Sequence, residues 1–272
     1  MKVSFSLILS VMLALISCGT APSQPFPVKK PKKRVGIPCT RKPIVVAIAD
    51  TGFGATLFDL KIKLCKFGHR DFTSVQKFHP LADYATVDPV PSDDHGHGTH
   101  VAGIIDGILK QTNVNYCIVI LKYYNPSSDS ENNDNLENTI KAINYATSIH
   151  AKYFNYSGGG LSTRDEEKQA VKAFIDAGGK FVAAAGNERS DLAKKPYYPA
   201  MDDDRVIVVG NLYSNGETHN PTSNFGDRVN MWEKGTNVKV CVPGQCMYMT
   251  GTSQATAVAT GKLASKEKNV CN

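Results

Sequence analysis

Short apolar runs alternate with amphipathic segments along most of this chain. Each run holds four to six consecutive apolar residues, which is typical of parallel strands buried on both faces. The runs occupy residues 44–49, 117–121, 181–185 and 206–209. The amphipathic segments repeat apolar residues every three or four positions, which predicts helices with one buried face. They occupy residues 136–149, which lead into a further strand at 152–156, and residues 163–177.

Strands that alternate with helices predict βαβ units. We therefore expect an α/β fold, a three-layer sandwich with a mostly parallel central sheet and helices on both faces. Residues 163–166 (TRDE) have the pattern of a capping box, which predicts the start of a helix. Functional sites in such folds lie at the carboxyl ends of the strands. Asp50, Ser157 and Asn187 each come shortly after a predicted strand.

The first 42 residues differ in composition from the rest of the chain. Lys2 precedes an apolar run at residues 3–16 that is short for a membrane span, so residues 1–17 are predicted to form a signal peptide. Residues 18–42 are rich in Pro and Lys and are predicted to form a tether. The folded domain is expected over residues 43–272.

The formal net charge of +6 comes from this leading segment. Residues 1–42 contain eight Lys or Arg and no acidic residue. Residues 43–272 therefore hold the other 23 basic residues and all 25 acidic ones, a net charge of −2. The folded domain thus gives no reason to expect nucleic-acid binding. The basic segment is either a solvated linker or a contact for anionic lipid headgroups.

A cysteine follows the apolar run of the leader. Residues 15–18 (LISC) resemble the lipobox of bacterial lipoproteins. The resemblance implies cleavage before Cys18, lipidation of its thiol, export, and anchoring to a membrane. The alternative is an ordinary signal peptide with a cysteine nearby, in which case the protein would be secreted or periplasmic.

Six further cysteines are an even number, as expected for an exported protein with up to three disulfides in fifteen possible pairings. Cys241 and Cys246 flank a turn-like spacer and are the easiest local pair. Cys117 lies in an apolar run and is either bonded or a buried thiol. Cys65 would pair with Cys39 or elsewhere.

Ser253 lies within residues 251–255 (GTSQA), where small residues lead into a predicted helix. A serine at a helix start presents its hydroxyl and its own unpaired backbone N–H, where negative charge is favoured. A nucleophile that attacks a carbonyl and holds the resulting oxyanion needs both features. The alternative for Ser253 is a helix N-cap.

His97 begins another predicted helix, within residues 96–103 (GHGTHVAG). An imidazole is the natural general base for a serine hydroxyl near neutral pH, and it needs a carboxylate to hold its tautomer. Asp50, at the end of a predicted strand, fits that role. Asp93 and Asp94 are flanked by Pro and Ser and are predicted to lie in an exposed loop.

Three segments resemble the signatures of the subtilisin-like serine proteases, in that family's order. They are residues 50–52 (DTG), 97–103 (HGTHVAG) and 251–255 (GTSQA). The resemblance covers about residues 43–264 and implies the family's α/β fold and a serine endopeptidase that cleaves peptide or protein substrates through an acyl-enzyme. It implies that Ser253 is the nucleophile, that His97 is the base and then the acid, and that Asp50 orients His97.

A fourth segment resembles the family's oxyanion-hole segment, namely residues 183–187 (AAAGN). The resemblance implies that the side-chain amide of Asn187 and the backbone N–H of Ser253 bind the oxyanion. Taken alone, an asparagine in this setting is also an ordinary turn former.

Residues 155–159 (NYSGG) resemble the strand that lines the family's S1 pocket. The resemblance implies that Ser157, Gly158 and Gly159 pair with the substrate backbone as an added strand. Tyr197 stands near where the family often has a small residue at the base of this pocket. If its ring points inward, we expect a shallow pocket that favours small side chains on the amino side of the cleaved bond.

The implied chemistry needs no cofactor and no metal ion. A metal site at His95, His97 and His100 is an alternative, but two of these histidines share a Gly-rich turn and the triad accounts for His97. Residues 129–135 are acidic but lack the glycine of an EF-hand loop, so we expect a solvated loop. Many family members bind structural calcium, which the resemblance allows here without assigning a site.

Three features depart from the family pattern. Ala257 replaces the proline that usually stands four residues after the nucleophile, and we expect this to change packing more than chemistry. Residues 19–42 are too few for the usual folding propeptide, and only residues 254–272 follow Ser253. These departures support a second hypothesis, a catalytically weak or inactive subtilisin-like binding domain on the cell surface. The intact triad and oxyanion residues favour the enzyme.

Overall fold

Seven strands form one central sheet in the part of the chain that the structure, a computed structural model, describes. That part comprises residues 42–54, 60–73, 89–126, 134–242 and 244–268. The strands are β1 (Ile44–Asp50), β2 (Arg70–Asp71), β3 (Tyr116–Lys122), β4 (Tyr153–Tyr156), β5 (Lys180–Ala184), β6 (Ile207–Leu212) and β7 (Met231–Lys234). Their order is β2-β3-β1-β4-β5-β6-β7, and every neighbouring pair is parallel.

Four helices and an antiparallel hairpin complete the described architecture. The helices are α1 (His97–Leu109), α2 (Asn135–Ser148), α3 (Asp165–Asp176) and α4 (Thr252–Ala264). The hairpin consists of β8 (Val238–Val242) and β9 (Gln245–Met249), and it leads directly into α4. The strands predicted from the apolar runs and the helices predicted from the amphipathic segments are confirmed, with shifts of a few residues at their ends.

The first strand lies in the middle of the sheet and pairs on both sides. Ala47 of β1 is opposite Val119 of β3 and Phe154 of β4. Successive side chains of a strand point to opposite faces, so Val46 and Ile48 enter one core while Ala47 enters the other. Both faces are covered, which is why this strand is an uninterrupted apolar run in the sequence.

Each face of the sheet packs against two helices. On one face, the core includes Ile143 of α2 and Phe174 of α3. On the other face, it includes Ile105 of α1 and Ala257 of α4. The predicted three-layer α/β sandwich is therefore confirmed. Ala257, which departs from the family pattern, is fully buried in this second core.

The predicted capping box at the start of α3 is wrong. The N-cap residue of α3 is Arg164, and its side chain makes no capping hydrogen bond. The Thr163 hydroxyl instead donates to Asp202 Oδ1 at 2.9 Å. The Thr163 hydroxyl therefore bonds to a residue that is distant in the sequence, and not to the backbone of α3 as the capping-box pattern predicts.

Two disulfides join described cysteines. Cys241 is bonded to Cys246 and closes the β8–β9 hairpin, which confirms the local pair. Cys65 is bonded to Cys117 of β3. The alternative of a free buried thiol at Cys117 is therefore wrong, and so is the pairing of Cys65 with Cys39.

Residues 1–41 lie outside the described part of the chain. The signal peptide at residues 1–17, the lipidation of Cys18 and the tether at residues 18–42 therefore remain predictions. No helix within the described ranges combines the length and the apolar character that a membrane crossing needs.

The contact between α1 and α4 joins the helices that begin at His97 and just before Ser253. A Cβ on Gly261 of α4 would lie 2.9 Å from Ile108 Cδ1 and 3.1 Å from Ile108 Cβ. We expect Gly261→Val to lower the free energy of unfolding by about 1–3 kcal/mol, because added volume in a packed interface strains it by that much. Urea denaturation followed by circular dichroism measures the change.

Gly107 of α1 is the matched control, since a Cβ there would have no atom within 4 Å. Gly107→Val should not lower the free energy of unfolding, because valine is a better helix former than glycine. Equal destabilisation by the two substitutions would contradict close packing of α1 on α4 at Gly261 as the cause, because Gly107 has no such neighbour.

Candidate active site

Asp50 and His97 meet at the carboxyl end of the sheet. Asp50 is the buried last residue of β1, and His97 is the first residue of α1, with 23% of its side chain exposed. His97 Nδ1 lies 2.7 Å from Asp50 Oδ1, which also accepts the backbone N–H of Thr51 at 2.8 Å. The imidazole is therefore held by Nδ1, and Nε2 is left to act on another group.

Two glycines allow the start of α1 to approach the end of β1 so closely. A Cβ on Gly98 would overlap the carbonyl oxygen of Gly52 and would lie 3.1 Å from Asp50 Cβ. Gly52 has a φ of +115°, and a Cβ there would overlap the Ser92 carbonyl oxygen. A side chain at Gly98 would push α1 away from Asp50, and one at Gly52 would push the turn after β1 away from residues 91–92.

Asp93 fixes the turn before α1, although it was predicted to be exposed. It is fully buried. Its Oδ1 accepts the Thr51 hydroxyl and the Gly96 N–H, each at 2.8 Å, and its Oδ2 accepts the N–H and hydroxyl of Thr99 at 2.8 and 2.6 Å. Burial alone would raise the pKa of Asp93, but these hydrogen bonds, led by the Thr99 hydroxyl, lower it. Asp94 is exposed, as predicted.

The sequence does carry a signal for this role of Asp93. Its Oδ1 also accepts the N–H of His95 at 3.0 Å, two residues on, which makes an Asx-type turn. An aspartate directly before a glycine turn and a helix start is the pattern of such a turn. The Pro and Ser flanks pointed instead to a solvated loop.

His97 and His100, three residues apart on α1, have pKa values displaced in opposite directions. Burial alone would lower the pKa of His97, but the charge of Asp50 and its hydrogen bond raise it above the ordinary 6.5. Burial lowers the pKa of His100, whose Nε2 lies 3.0 Å from the Val238 carbonyl oxygen. The carboxylate thus supports a positive charge on His97 alone, as a general base requires.

Ser253 is the second residue of α4 and is tied to the segment after β4. Its hydroxyl donates to the Ser157 carbonyl oxygen at 2.7 Å, and the Ser157 hydroxyl donates to the Ser253 carbonyl oxygen at 3.0 Å. The N-cap residue of α4 is Gly251, so Ser253 does not serve as the cap. The Ser253 N–H, at the second helical position, has no partner within the helix.

Asn187 lies on the loop after β5, with its side chain exposed. Its Oδ1 accepts the N–H of Thr252 at 3.0 Å, which leaves Nδ2 as the donor of this amide. Asn224, which no sequence signal marked, braces the loop. Its Oδ1 accepts the N–H of Glu188 at 3.0 Å, and its Nδ2 donates to the Ala185 carbonyl oxygen at 2.8 Å. The amide of Asn187 is thus fixed beside the start of α4.

A cavity of about 620 Å³ lies beside these groups. Asp50, His97, Ser157, Gly158 and Gly159 all line it. Tyrosines form much of the remaining wall: Tyr123, Tyr124, Tyr156, Tyr197 and Tyr198. The structure therefore brings the three candidate substrate-binding residues to the same cavity as the histidine, with the candidate nucleophile hydrogen-bonded to one of them.

No cluster of three or more His, Cys, Asp or Glu side chains suited to a metal ion occurs within the described ranges. His97 contacts Asp50 and His100 contacts a backbone carbonyl, so the alternative metal site that included His95 has no support. Most of residues 129–135 lies outside the described part. The geometry assigns no calcium site.

Comparison with known protein families shows which family this chain belongs to. The model of the subtilase family matches residues 41–269. The chain belongs to the subtilase family. As a member of that family it is a serine-type protease, and the match includes every candidate site residue within the folded domain.

Curated relatives resemble this subtilase along most of its length. It is 31% identical over 231 residues to the major intracellular serine protease of Bacillus subtilis (strain 168), a match that covers 82% of this chain and 68% of that protein. It is 30% identical over 237 residues to subtilisin DY of Bacillus licheniformis, covering 81% and 75%. It is 31% identical over 181 residues to subtilisin-like protease 10 of Arthroderma otae (strain ATCC MYA-4605 / CBS 113480), covering 64% of this chain and 44% of that protein.

Solved structures share the fold. A cold adapted subtilisin-like serine proteinase superposes with a TM-score of 0.60 at 26% identity, covering 81% of this chain and 74% of that chain. A lanthipeptide protease superposes with a TM-score of 0.64 at 20% identity, covering 81% and 72%. The second likeness bears on the fold alone, and it agrees with the parallel sheet and two helical layers of this subtilase.

The opposite pKa shifts of two histidines give a test of the site geometry. We expect the His97 ring to titrate above pH 6.5 and the His100 ring below it, because Asp50 stabilises one imidazolium and burial destabilises the other. NMR of the ring protons against pH measures both. The raised pKa of His97 also means that its pair with Asp50 stabilises the fold fully below pH 6.5, and that this contribution is lost as pH rises through the folded pKa.

Two carboxylate substitutions provide the control for this titration. Asp50→Asn removes the adjacent charge and should lower the pKa of His97 strongly, while Asp94→Asn removes an exposed charge that does not contribute to the shift and should leave it unchanged. His100, whose pKa depends chiefly on burial, is the internal reference. A His97 ring that titrates at or below pH 6.5 in the unsubstituted protein would contradict the contact with Asp50.

Proposed function

We propose that this subtilase is an exported serine endopeptidase that hydrolyses peptide bonds with Asp50, His97 and Ser253 through an acyl-enzyme. The observation that carries the proposal is the 2.7 Å contact of His97 Nδ1 with Asp50 Oδ1 at a cavity that both residues line. Relatives named as serine proteases and subtilisins support the same class of reaction.

Acylation begins with a change of partner at Ser253. In the free protein, its hydroxyl donates to the Ser157 carbonyl oxygen. A substrate strand that pairs with residues 157–159 brings a backbone N–H to this oxygen and competes with that bond. The hydroxyl then turns to His97 Nε2, which takes its proton as Oγ attacks the scissile carbonyl, and Asp50 stabilises the imidazolium.

The oxyanion of the tetrahedral intermediate needs preorganised donors. The 3.0 Å bond from the Thr252 N–H fixes Asn187 Oδ1, so Nδ2 supplies the first donor. The Ser253 N–H, without a partner inside α4, supplies the second. The Ser253 N–H belongs to the N-terminus of α4, where negative charge is favoured, and Asn187 is bonded to Thr252 beside it. In this enzyme class, loss of one such donor costs about 10²–10³-fold in kcat.

The remaining steps return the enzyme to its starting state. His97 passes its proton to the leaving amine as the C–N bond breaks, which leaves an ester on Ser253. Water then attacks the ester and gives a proton to His97. The C–O bond to Ser253 breaks, the proton returns to Oγ, and the carboxylic acid product leaves. Subtilases need no cofactor for this chemistry.

A fluorophosphonate probe combined with peptide hydrolysis tests the proposal. We expect the full-length protein to be labelled at Ser253 and Ser253→Ala to be neither labelled nor active. Asn187→Ala should lower kcat about 10²–10³-fold with little change in KM, because its amide acts on the transition state. Mass spectrometry of the labelled peptide and steady-state kinetics measure these effects.

Ser265→Ala and Asn215→Ala are the matched controls. Ser265 follows α4 and its hydroxyl donates to the Lys262 carbonyl oxygen, while the Asn215 amide lies in an exposed turn. Both variants should keep full labelling and activity. Folded protein that is neither labelled nor active would exclude the enzyme and favour the pseudoprotease, a subtilisin-like domain used for binding on the cell surface.

We further propose that the protein is exported and held at a membrane by a lipid on Cys18. The lipobox-like residues 15–18 and the apolar run before them support this proposal. The Cys65–Cys117 and Cys241–Cys246 disulfides add support, because such bonds persist in oxidising compartments outside the cytosol.

Metabolic labelling with an alkyne analogue of palmitate tests the anchor. In a bacterial host, the full-length protein should incorporate the label and fractionate with membranes, because a thioether-linked lipid on Cys18 holds it there. Cys18→Ala should lose both properties, whereas Cys271→Ala should keep them. Label that persists in Cys18→Ala would contradict the proposed site, and an unlabelled wild type would favour secretion through an ordinary signal peptide.

A further inference from the structure

The Tyr197 ring stands between two backbone segments that meet near Ser253. A Cβ on Gly159 would overlap Tyr197 Cε1 and lie 2.7 Å from Cζ, and a Cβ on Gly186 would lie 3.2 Å from Tyr197 Cδ1. One edge of the ring therefore faces both glycines. The gap between the segment after β4 and the loop after β5 is filled by an aromatic side chain.

Backbone pairing holds the ring in this gap. The Tyr198 N–H donates to the Gly160 carbonyl oxygen at 2.8 Å, and the Gly160 N–H donates to the Tyr198 carbonyl oxygen at 2.9 Å. This bridge sets Tyr197 beside Gly159. Burial, followed by the nearby charge of Glu188, raises the pKa of the Tyr197 hydroxyl to about 12, so the ring fills the gap as a neutral group.

The substrate residue on the amino side of the cleaved bond, called P1, must direct its side chain into this gap. This step rests on the function proposed above. In the proposed acylation, the P1 carbonyl carbon is attacked by Ser253 Oγ, its oxygen accepts from Asn187 Nδ2, and its backbone N–H donates to the Ser157 oxygen. Ser157 belongs to one of the two segments and Asn187 to the other, so the P1 side chain projects between them.

We propose that Tyr197 closes this gap and restricts the P1 residue of the substrate to glycine or alanine. A methyl group needs only the mouth of the gap. A leucine or phenylalanine side chain needs the volume that the Tyr197 ring occupies, and close-packed side chains do not yield space without strain. Selection is therefore by exclusion of larger side chains.

The cavity behind Tyr197 determines what its removal would open. Tyr197 lines the cavity of about 620 Å³, whereas Gly186 and Asn187 do not. The ring thus borders both the gap and the cavity, as Gly159 does. A small side chain at position 197 would join the two spaces and give a large P1 side chain room to enter.

Peptidyl diphenyl phosphonates that share one peptide and differ only in P1, as Ala, Leu or Phe, test the proposal on the full-length protein. The alanine probe should label wild type at least about tenfold faster than the leucine and phenylalanine probes, since misfit of single carbon groups already changes kcat/KM by roughly 10–200-fold. Tyr197→Ala should reduce this ratio by at least about tenfold. Tyr197→Phe, which keeps the ring, should retain the wild-type ratio.

A small fluorophosphonate that needs no P1 pocket separates the two proposals. If it labels wild type but the phenylalanine probe reacts as fast as the alanine probe, the role of Tyr197 is wrong while the enzyme stands. If it fails to label folded wild type, both proposals fall. If Tyr197→Ala does not fold, Tyr197→Leu replaces it as the variant with a reduced ring volume. An unchanged ratio in the folded variant would overturn the role of Tyr197.

Discussion

The geometry of the site depends on the buried carboxylate of Asp93. It accepts the Thr51 hydroxyl from the turn after β1 and both donors of Thr99 from the first turn of α1. It therefore joins the strand that ends at Asp50 to the helix that begins at His97. A buried charge is costly unless its lone pairs are used, and here both oxygens accept hydrogen bonds that lower the pKa. The Thr51 hydroxyl oxygen also accepts the Gly98 N–H at 2.9 Å, so α1 is bonded to the turn after β1 both directly and through Asp93 beside the 2.7 Å contact of Asp50 with His97.

A second set of hydrogen bonds between elements holds Ser253 in place. In the sheet, β1, β4 and β5 are neighbours, so Asp50, Ser157 and Asn187 leave it along one edge. Ser157 and Ser253 exchange hydrogen bonds, and Asn187 accepts the Thr252 N–H. The start of α4 is thus hydrogen-bonded to the segments that follow β4 and β5, two adjacent strands. Because β1, β4 and β5 are parallel, their carboxyl ends lie at the same edge of the sheet, and the hydrogen bonds just described then position the side chains. The candidate residues can therefore come from distant parts of the chain.

The features that the sequence predicts correctly are those decided by neighbours along the chain. Residues 44–49 are apolar because both faces of the strand are covered, and the run alone indicates it. The groups that the sequence does not place each have at least one partner that is far away along the chain. Thr163 bonds to a residue 39 positions on, Asp93 to one 42 positions back, and Cys65 to Cys117 across 52 positions. Local patterns assigned Thr163 to a capping box and Asp93 to a solvated loop, and they left the partner of Cys65 open between Cys39 and other cysteines.

The substrate selection that we propose depends on backbone proximity more than on any single side chain. Gly159 has no side chain, and a Cβ there would overlap the Tyr197 ring. The glycine therefore creates the space that the tyrosine occupies, and the two residues form a complementary pair. Taken alone, Gly159 and Gly186 suggest an open slot, and Tyr197 suggests only an aromatic surface. The size of the gap is a joint property of all three, because the ring contacts both segments at once. In the function proposed above, Asp50, His97 and Ser253 carry out the reaction, and this packing between segments selects the side chain that the reaction admits.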